Sequence, residues 1–414
     1  MRIVLGLIFS LVTLIFLWIN FQLYRPENTP NEERQDIRRQ LNFLEEELKT
    51  KDLGSRMQSL FPEGYVFVNA LYGLTWCELA LADHTADSTR NRAIEEALYA
   101  YKQLDSDKGR SVFNSDLSPP YGIFYQGWKN YLLAKMLQID GDFDNRLIYE
   151  ERFKKDCEEI GLAMEASSTP FLSSYLGMSW PADICVAVAS LSNYDNMYEP
   201  TYRKQIEDWL THVKALSDSS TVLWPHETHW ETGVTLQGPR GSSTSLMIRM
   251  LSEVDSNFAQ MQYKEFSNRF VQPTFGLPSV REYPKGQLGE PDVDSGPVLF
   301  GVGFSGTIVT IALPALVGNY QHCSQQYRTI NAFGFGTTNG HSKRYLFGVL
   351  PMADAFIAWG RASALHSKGT GNGYTEYRPW KFTLITLGFI CLMWGMFFAR
   401  RIKKWLGRDN ASNS

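Results

Sequence analysis

The sequence predicts an all-α fold, an (α/α)6 toroid of paired inner and outer helices flanked by N- and C-terminal transmembrane helices. Three observations predict it. Segments that are apolar nearly all round alternate with segments apolar on one face, five long polar loops each precede a segment of the first kind, and charge-free runs stand near both ends. A helix hydrophobic on every side is buried, and one with a single apolar stripe covers it. The alternation therefore reads as one ring wrapped by another.

The ends come first. Ile3 to Tyr24 holds 22 residues without a charge, and Phe382 to Ala399 holds 18. About 20 apolar residues span a bilayer core. The first run leads into Trp18, Phe21 and Tyr24 with no small-residue cleavage site behind it, so it reads as an uncleaved anchor over 1–24. Trp380 and Trp405 bracket the second (381–399), and Arg400, Arg401, Lys403, Lys404 and Arg408 follow in the basic tail 400–414. The positive-inside rule puts that tail, and with two spans Met1 also, in the cytoplasm. The domain between them is then periplasmic or extracellular. Arg25, Arg34, Arg38 and Arg39 after the first run oppose this orientation, although acidic residues are interspersed.

Asn31 to Lys49, within 25–62, reads as a charged stalk or membrane-surface helix. The toroid follows over 63–370. Its apolar segments are Val66–Ala82, Ile123–Leu137, Ile184–Leu191, Ser243–Leu251, Val298–Val317 and Leu346–Ala362. The amphipathic ones carry Ile94, Ala97, Leu98 and Tyr101, then Phe153, Cys157, Ile160 and Met164, then Ile206, Trp209, Leu210 and Val213, then Tyr263, Phe266 and Phe270. Asp140-Gly141-Asp142 and Ser192-Asn193-Tyr194-Asp195 read as turns between partners. The fifth and sixth outer helices have no clear pattern. Val298 to Gly318 is 21 residues without a charge, long enough to span, but Gly301, Gly303, Gly306 and Pro314 dilute it. It reads as a buried helix.

With 40 Lys+Arg against 44 Asp+Glu the formal charge is −4, which excludes the basic surplus of a nucleic-acid binder. At 44% hydrophobic and 20% charged residues the chain is not a disordered one. Four cysteines outside the end runs (Cys77, Cys157, Cys185 and Cys323) make no disulfide framework, though one bridge is compatible with them. Oligomeric state is not legible.

Several stretches resemble, in order, the linalool dehydratase/isomerase family of (α/α)6 barrels. They are Tyr65–Leu81, Ile123–Asp142, Thr169–Leu191, Ser245–Phe270 and Gly289–Gly303, about half the chain. The resemblance implies a hydro-lyase or isomerase acting on an apolar alcohol. It matches Tyr125 to a tyrosine of the family's Tyr-x-Gly-His-x-Asn stretch and Cys185 to one of two active-site cysteines. The family's histidine is Trp128 here, its second cysteine falls near Leu176, and its N-terminal catalytic aspartate has no counterpart.

The five polar loops gather on one face of such a ring, where a site forms. Glu290, Asp292 and Asp294 stand together before the fifth inner segment. A desolvated carboxylate cluster separates an acid from a base; the alternative is helix capping. Trp180-Pro-Ala-Asp183 opens the third inner helix, with Asp183 facing Asp294 or serving the helix dipole. Asp183 and Cys185, two residues apart, lie about 200° apart on a helix and cannot both face the mouth. His226 and His229 flank Glu-Thr; their i, i+3 spacing is not a helical zinc pair, and His229 is taken as an acid–base partner. Arg240 reads as a clamp on a carboxylate or phosphate of the ligand or as part of a surface turn, and Trp180, Trp128, Tyr121 and Trp230 read as stacking partners of a ligand or as core. Gly301-Val-Gly-Phe-Ser-Gly306 follows no strand and is not read as a nucleotide fingerprint. No cofactor or metal is expected.

The sequence thus points to carboxylate acid–base chemistry on a C–O bond of a small molecule or glycan, by a hydro-lyase, isomerase or hydrolase. A glycoside hydrolase or polysaccharide lyase, or a non-catalytic anchored binding module, fits the same features.

Overall fold

The computed structural model describes residues 2–82, 87–141, 143–217, 222–366 and 377–409, with side chains described between 3 and 399. Six inner stations close a ring. They are Gly64–Ala82, Gly122–Leu137, Pro181–Met197, Gly241–Leu251, the pair Phe304–Val309 and Leu313–Leu316, and Pro351–Ala364. Each packs on the next, and the sixth packs on the first. The first inner helix buries nearly all its residues, including Asn69, Thr75 and Glu78. Gly127 allows the close approach of the second and third inner helices: a Cβ there would stand 3.1 Å from the amide nitrogen of Ala187 and 3.3 Å from the carbonyl of Asp183.

Five outer helices follow their inner partners: Asp87–Leu104, Arg146–Ala166, Arg203–Ala215, Ser256–Phe270 and Tyr320–Phe333. The sixth outer helix comes from the other end of the chain. Pro30–Thr50, expected as a stalk, packs on Pro351–Ala364 and buries Ile37, Leu41, Phe43, Leu44 and Leu48. Its low mean hydropathy hid an apolar stripe whose polar members are also buried. Thr29 caps its start in a reciprocal box with Glu32.

Buried ions fasten this closure. Arg361, 1% exposed at its side chain, reaches Glu33 at 2.6 Å and Asp36 at 3.0 Å, donates to Gln40 at 2.7 Å, and lies over the Tyr327 ring. Burial pushes Asp36 up, but Arg361 and Lys343 overcome it and hold the carboxyl at about 2. Truncating one partner of a buried pair strands the others. Arg361→Ala is therefore expected to cost about 3–5 kcal/mol, read by chemical denaturation of the full chain, and to make residues 30–50 protease-sensitive.

Three predictions of local structure are corrected. Val298 to Gly318 is no continuous helix: strands Val298–Leu299 and Val302–Gly303 pair, and two short helices follow. Phe300 and Gly301 take left-handed angles at the turn, which an α-helix excludes, and Pro314 starts a new helix. Ser192 to Asp195 is helix, held by Ser192 and Asn193 bonding to Glu253. The sixth inner helix begins only at Pro351. Asp142 of the other expected turn lies outside the described residues. The described cysteines form no disulfide.

Among the described residues three helices are long and apolar enough to cross a membrane: Ile3–Leu23, Gly64–Ala82 and Pro379–Ala399. The middle one is 83% buried inside the ring and belongs to the core, whereas the end pair are 6% and 17% buried. The end helices run antiparallel against each other. Phe9 meets Phe397, Trp394 donates to Thr13, and Asn20 exchanges hydrogen bonds with Thr383 and Thr386. The C-terminal helix continues to Asp409; the side chains from 400 onward lie outside the described residues. Arg34, Arg38 and Arg39, three of the four arginines that opposed the expected orientation, are tied into the domain on the Ala82 carbonyl, Thr89 and the Gly340 carbonyl.

Candidate active site

Inner helices joined by outer ones all point the same way, so their N-terminal ends and preceding loops share one face. The loop Phe61-Pro62-Glu63 delivers Glu63 to it, immediately before the first inner helix. A tight turn pairs Tyr175 with Met178 before the third inner helix, with Gly177 left-handed at its tip. Asp183 stands in that helix's first turn, after Pro181. Asp292 and Asp294 come from the loop before the fifth station.

These groups meet. Tyr175 donates its hydroxyl to Glu63 Oε1 at 2.6 Å, and Ser174 donates to Asp183 Oδ2. Burial, with smaller contributions from the Glu63 and Asp294 charges and against the Ser174 hydrogen bond, pushes Asp183 up to about 8. Asp294 keeps 60% of its side chain open. Its carboxyl is also raised, first by the part that is desolvated, then by Asp292 and Glu63, with Arg240 opposing. Asp183 is thus a neutral acid at neutral pH beside two further carboxylates. Phe113 stacks on Tyr175 at 5.5 Å and Trp180 meets it edge-on at 6.1 Å, forming one aromatic wall.

Arg240 precedes the fourth inner helix, 2% exposed. It does not wait for a ligand's acid, as expected from sequence, but holds two of the protein's own. Its Nε donates to Glu282 Oε1 at 2.9 Å, and its two terminal nitrogens grip Asp292. Burial pushes Asp292 up, but this grip and the Ser295 amide leave it at about 2. Glu282 is fully buried, accepts from Ser242 at 2.8 Å, and is pushed up by burial despite Arg240. The guanidinium thereby pins the 292–295 turn, where Asp292 accepts from the Ser295 amide.

The histidine beside the acids is His226, not His229. Its Nε2 lies 3.9 Å from Asp294 and 3.4 Å from Arg240 Nη1. Arginine only donates, so Nε2 accepts and the ring proton sits on Nδ1, facing Ser243 Oγ at 3.0 Å. Burial and Arg240 hold this ring at about 3, hence neutral. His229 stacks on exposed Trp230 and accepts from the Glu231 amide.

Other expected residues lie elsewhere. Tyr125 is buried, its hydroxyl spent on the Leu104 carbonyl at 2.9 Å. Cys185 is buried and donates to the Pro181 carbonyl; it leaves Asp183 the mouth-facing side, as helical geometry requires. Trp128 packs in the core against Phe67 and Trp359. Tyr121 is half-buried in the left-handed region under Arg110. Glu290 is exposed, with its backbone carbonyl bound by Tyr283. Glu63, Tyr175 and His226 had not been chosen from sequence. For Glu63 the usable signal was its position, one residue ahead of an inner helix.

A separate cavity of about 400 Å³ lies between the fifth and sixth outer helices and the exit of the first end helix. Several of its charges are paired: Arg328 with Glu27, and Lys343 and Arg361 with Asp36.

Fold and site together define an α/α toroid with a carboxylate-bearing mouth. No family model matches the sequence, and no curated protein matches it. Among solved structures, the chain is similar to a family 105 glycoside hydrolase from C. acetobutylicum ATCC 824, at 11% identity and a TM-score of 0.45, covering 71% of this chain and 93% of that one.

Proposed function

We propose that the chain is a membrane-anchored, extracytoplasmic enzyme that hydrolyses a glycosidic C–O bond. The observation that carries the reading is the uneven environment of the mouth carboxylates. Asp183, protonated up to about pH 8, is the general acid toward the leaving oxygen. Asp294, open to water, is the base that activates the attacking water. Burial keeps Asp183 protonated, and Glu63 is an electrostatic neighbour whose charge adds to that effect. The aromatic wall of Tyr175 and Trp180 supplies the apolar face on which a sugar ring stacks. The clustered acids disfavour uronates, so neutral or amino sugars fit best. The antiparallel end helices and the basic residues after 399 support two spans with both termini cytoplasmic.

The test is cleavage of neutral and amino-sugar oligosaccharides by the micelle-held chain in ¹⁸O water. Hydrolysis puts the label on the anomeric carbon, and loss of cleavage in Asp294→Asn by about 10²–10⁴-fold is expected. Unlabelled product indicates elimination instead. Binding without turnover indicates a non-catalytic module. Either result overturns the reading. Glu63→Gln removes one charge that raises Asp183, so the alkaline limb of the pH–rate profile is expected to move to lower pH; an unmoved limb excludes this role for Glu63.

A further inference from the structure

The loop that carries Asp292 and Asp294 continues into a hairpin whose tip is uncovered: Leu299 is 68% exposed and Phe300 78%. Phe300 meets Phe275 edge-on at 5.4 Å, and Phe275 tips the neighbouring turn. Phe347 and Val349, just ahead of the sixth inner helix, are exposed on the same face. Phe275, Phe300 and Phe347 all take left-handed backbone angles of 54–58°. Glycine adopts that region freely, and a bulky residue does so at a cost. Large apolar side chains held there and left largely uncovered add little to the packing of the domain itself.

Their surroundings identify what covers them. The Gly276 carbonyl accepts from the Arg378 amide at 2.7 Å, and Arg378 directly precedes the C-terminal end helix. Leu277 is buried against Ile19 and Leu23 of one end helix and Phe382 of the other. The turn 274–277 therefore stands level with the entry of both helices into the bilayer, where Trp380 lies. Apolar tips at that level face lipid, and aromatic rings are the residues that settle at the headgroup boundary. We propose that the Phe275–Phe300 edge of the mouth is inserted in the interface of the bilayer that the end helices cross. The mouth then opens along the membrane surface, and its carboxylates stand near the lipid headgroups. This rests on the two-span reading above.

The experiment uses the full chain with Cys391→Ala and a single added cysteine, either Phe300→Cys or Leu147→Cys, labelled with an environment-sensitive fluorophore. Leu147 is 75% exposed at the start of the second outer helix, on the far face. The chains are placed in phosphatidylcholine vesicles, with and without lipid bearing a nitroxide high on its acyl chain. Blue-shifted emission and quenching at 300, with neither at 147, are expected. Leu299→Cys repeats the reading should the first variant fold poorly. Water-like, unquenched emission at 299 and 300, in chains that resist alkaline carbonate extraction, overturns the insertion and leaves the anchors standing. Extraction by carbonate instead overturns the two-span reading, and the insertion with it.

Discussion

Asp183→Asn is expected to remove most of the turnover and yet stabilise the protein at alkaline pH. The unfolded chain releases this proton near 3.8, whereas the folded chain keeps it to about 8. Across that window the native state binds the extra proton, so unfolding free energy falls as pH rises, then levels off above about 8. The slope from this one group approaches about 1.4 kcal/mol per pH unit at its steepest. Asparagine has the shape of the protonated acid, accepts from Ser174, and never ionises. Denaturation curves of parent and variant should coincide near pH 4 and separate progressively toward pH 8, the variant being the more stable. Turnover should fall by about 10²–10⁴-fold below the alkaline limb, where Asp183 of the parent holds its proton. Equal pH dependence of stability in the two chains would falsify the assignment of Asp183 as a neutral acid. A site that holds its acid against its own stability shows the usual opposition between activity and stability.

The second large effect concerns Arg240. Removing it leaves Glu282, fully buried, with no cation and frees Asp292 from its two-pronged grip. Arg240→Ala is expected to cost about 3–5 kcal/mol, most of it the penalty of the stranded carboxylate. The double variant Arg240→Ala/Glu282→Gln should therefore recover much of the loss, because the residue left behind is neutral. Activity should not recover with it, since the 292–295 turn that positions Asp294 stays untethered. Chemical denaturation of the three chains reads the cycle. A double variant as unstable as the single one would mean that the arginine acts through packing over Tyr283 instead of through charge.

The ring was legible because burial leaves a local trace. An inner helix such as Gly64–Ala82 is apolar on every side, and its partner Asp87–Leu104 shows a stripe. The trace failed where burial was polar. Pro30–Thr50 closes the ring with Asp36, Gln40 and Glu47 inside, so its composition resembled an exposed stalk. It also failed at 298–318, where hydrophobicity alone does not separate a helix from a hairpin followed by two short helices. At the site, Asp183, Asp292 and Asp294 stood out as carboxylates ahead of inner helices. Arg240 stood out too, but its partners Glu282 and Asp292 lie 42 and 52 residues away, beyond any spacing rule. The choice between His226 and His229, three residues apart, turned on which ring the loop folds inward, and that is set by Ser243 and Arg240.

Hydrophobic periodicity and the two charge-free runs determined, without coordinates, that this chain makes paired helices with greasy ends, because both properties are carried by neighbours in sequence. Only the tertiary structure decided which acid keeps its proton, which arginine is already spoken for, and which helix seals the ring. Those outcomes depend on charges and water excluded from points that the chain reaches from many residues apart.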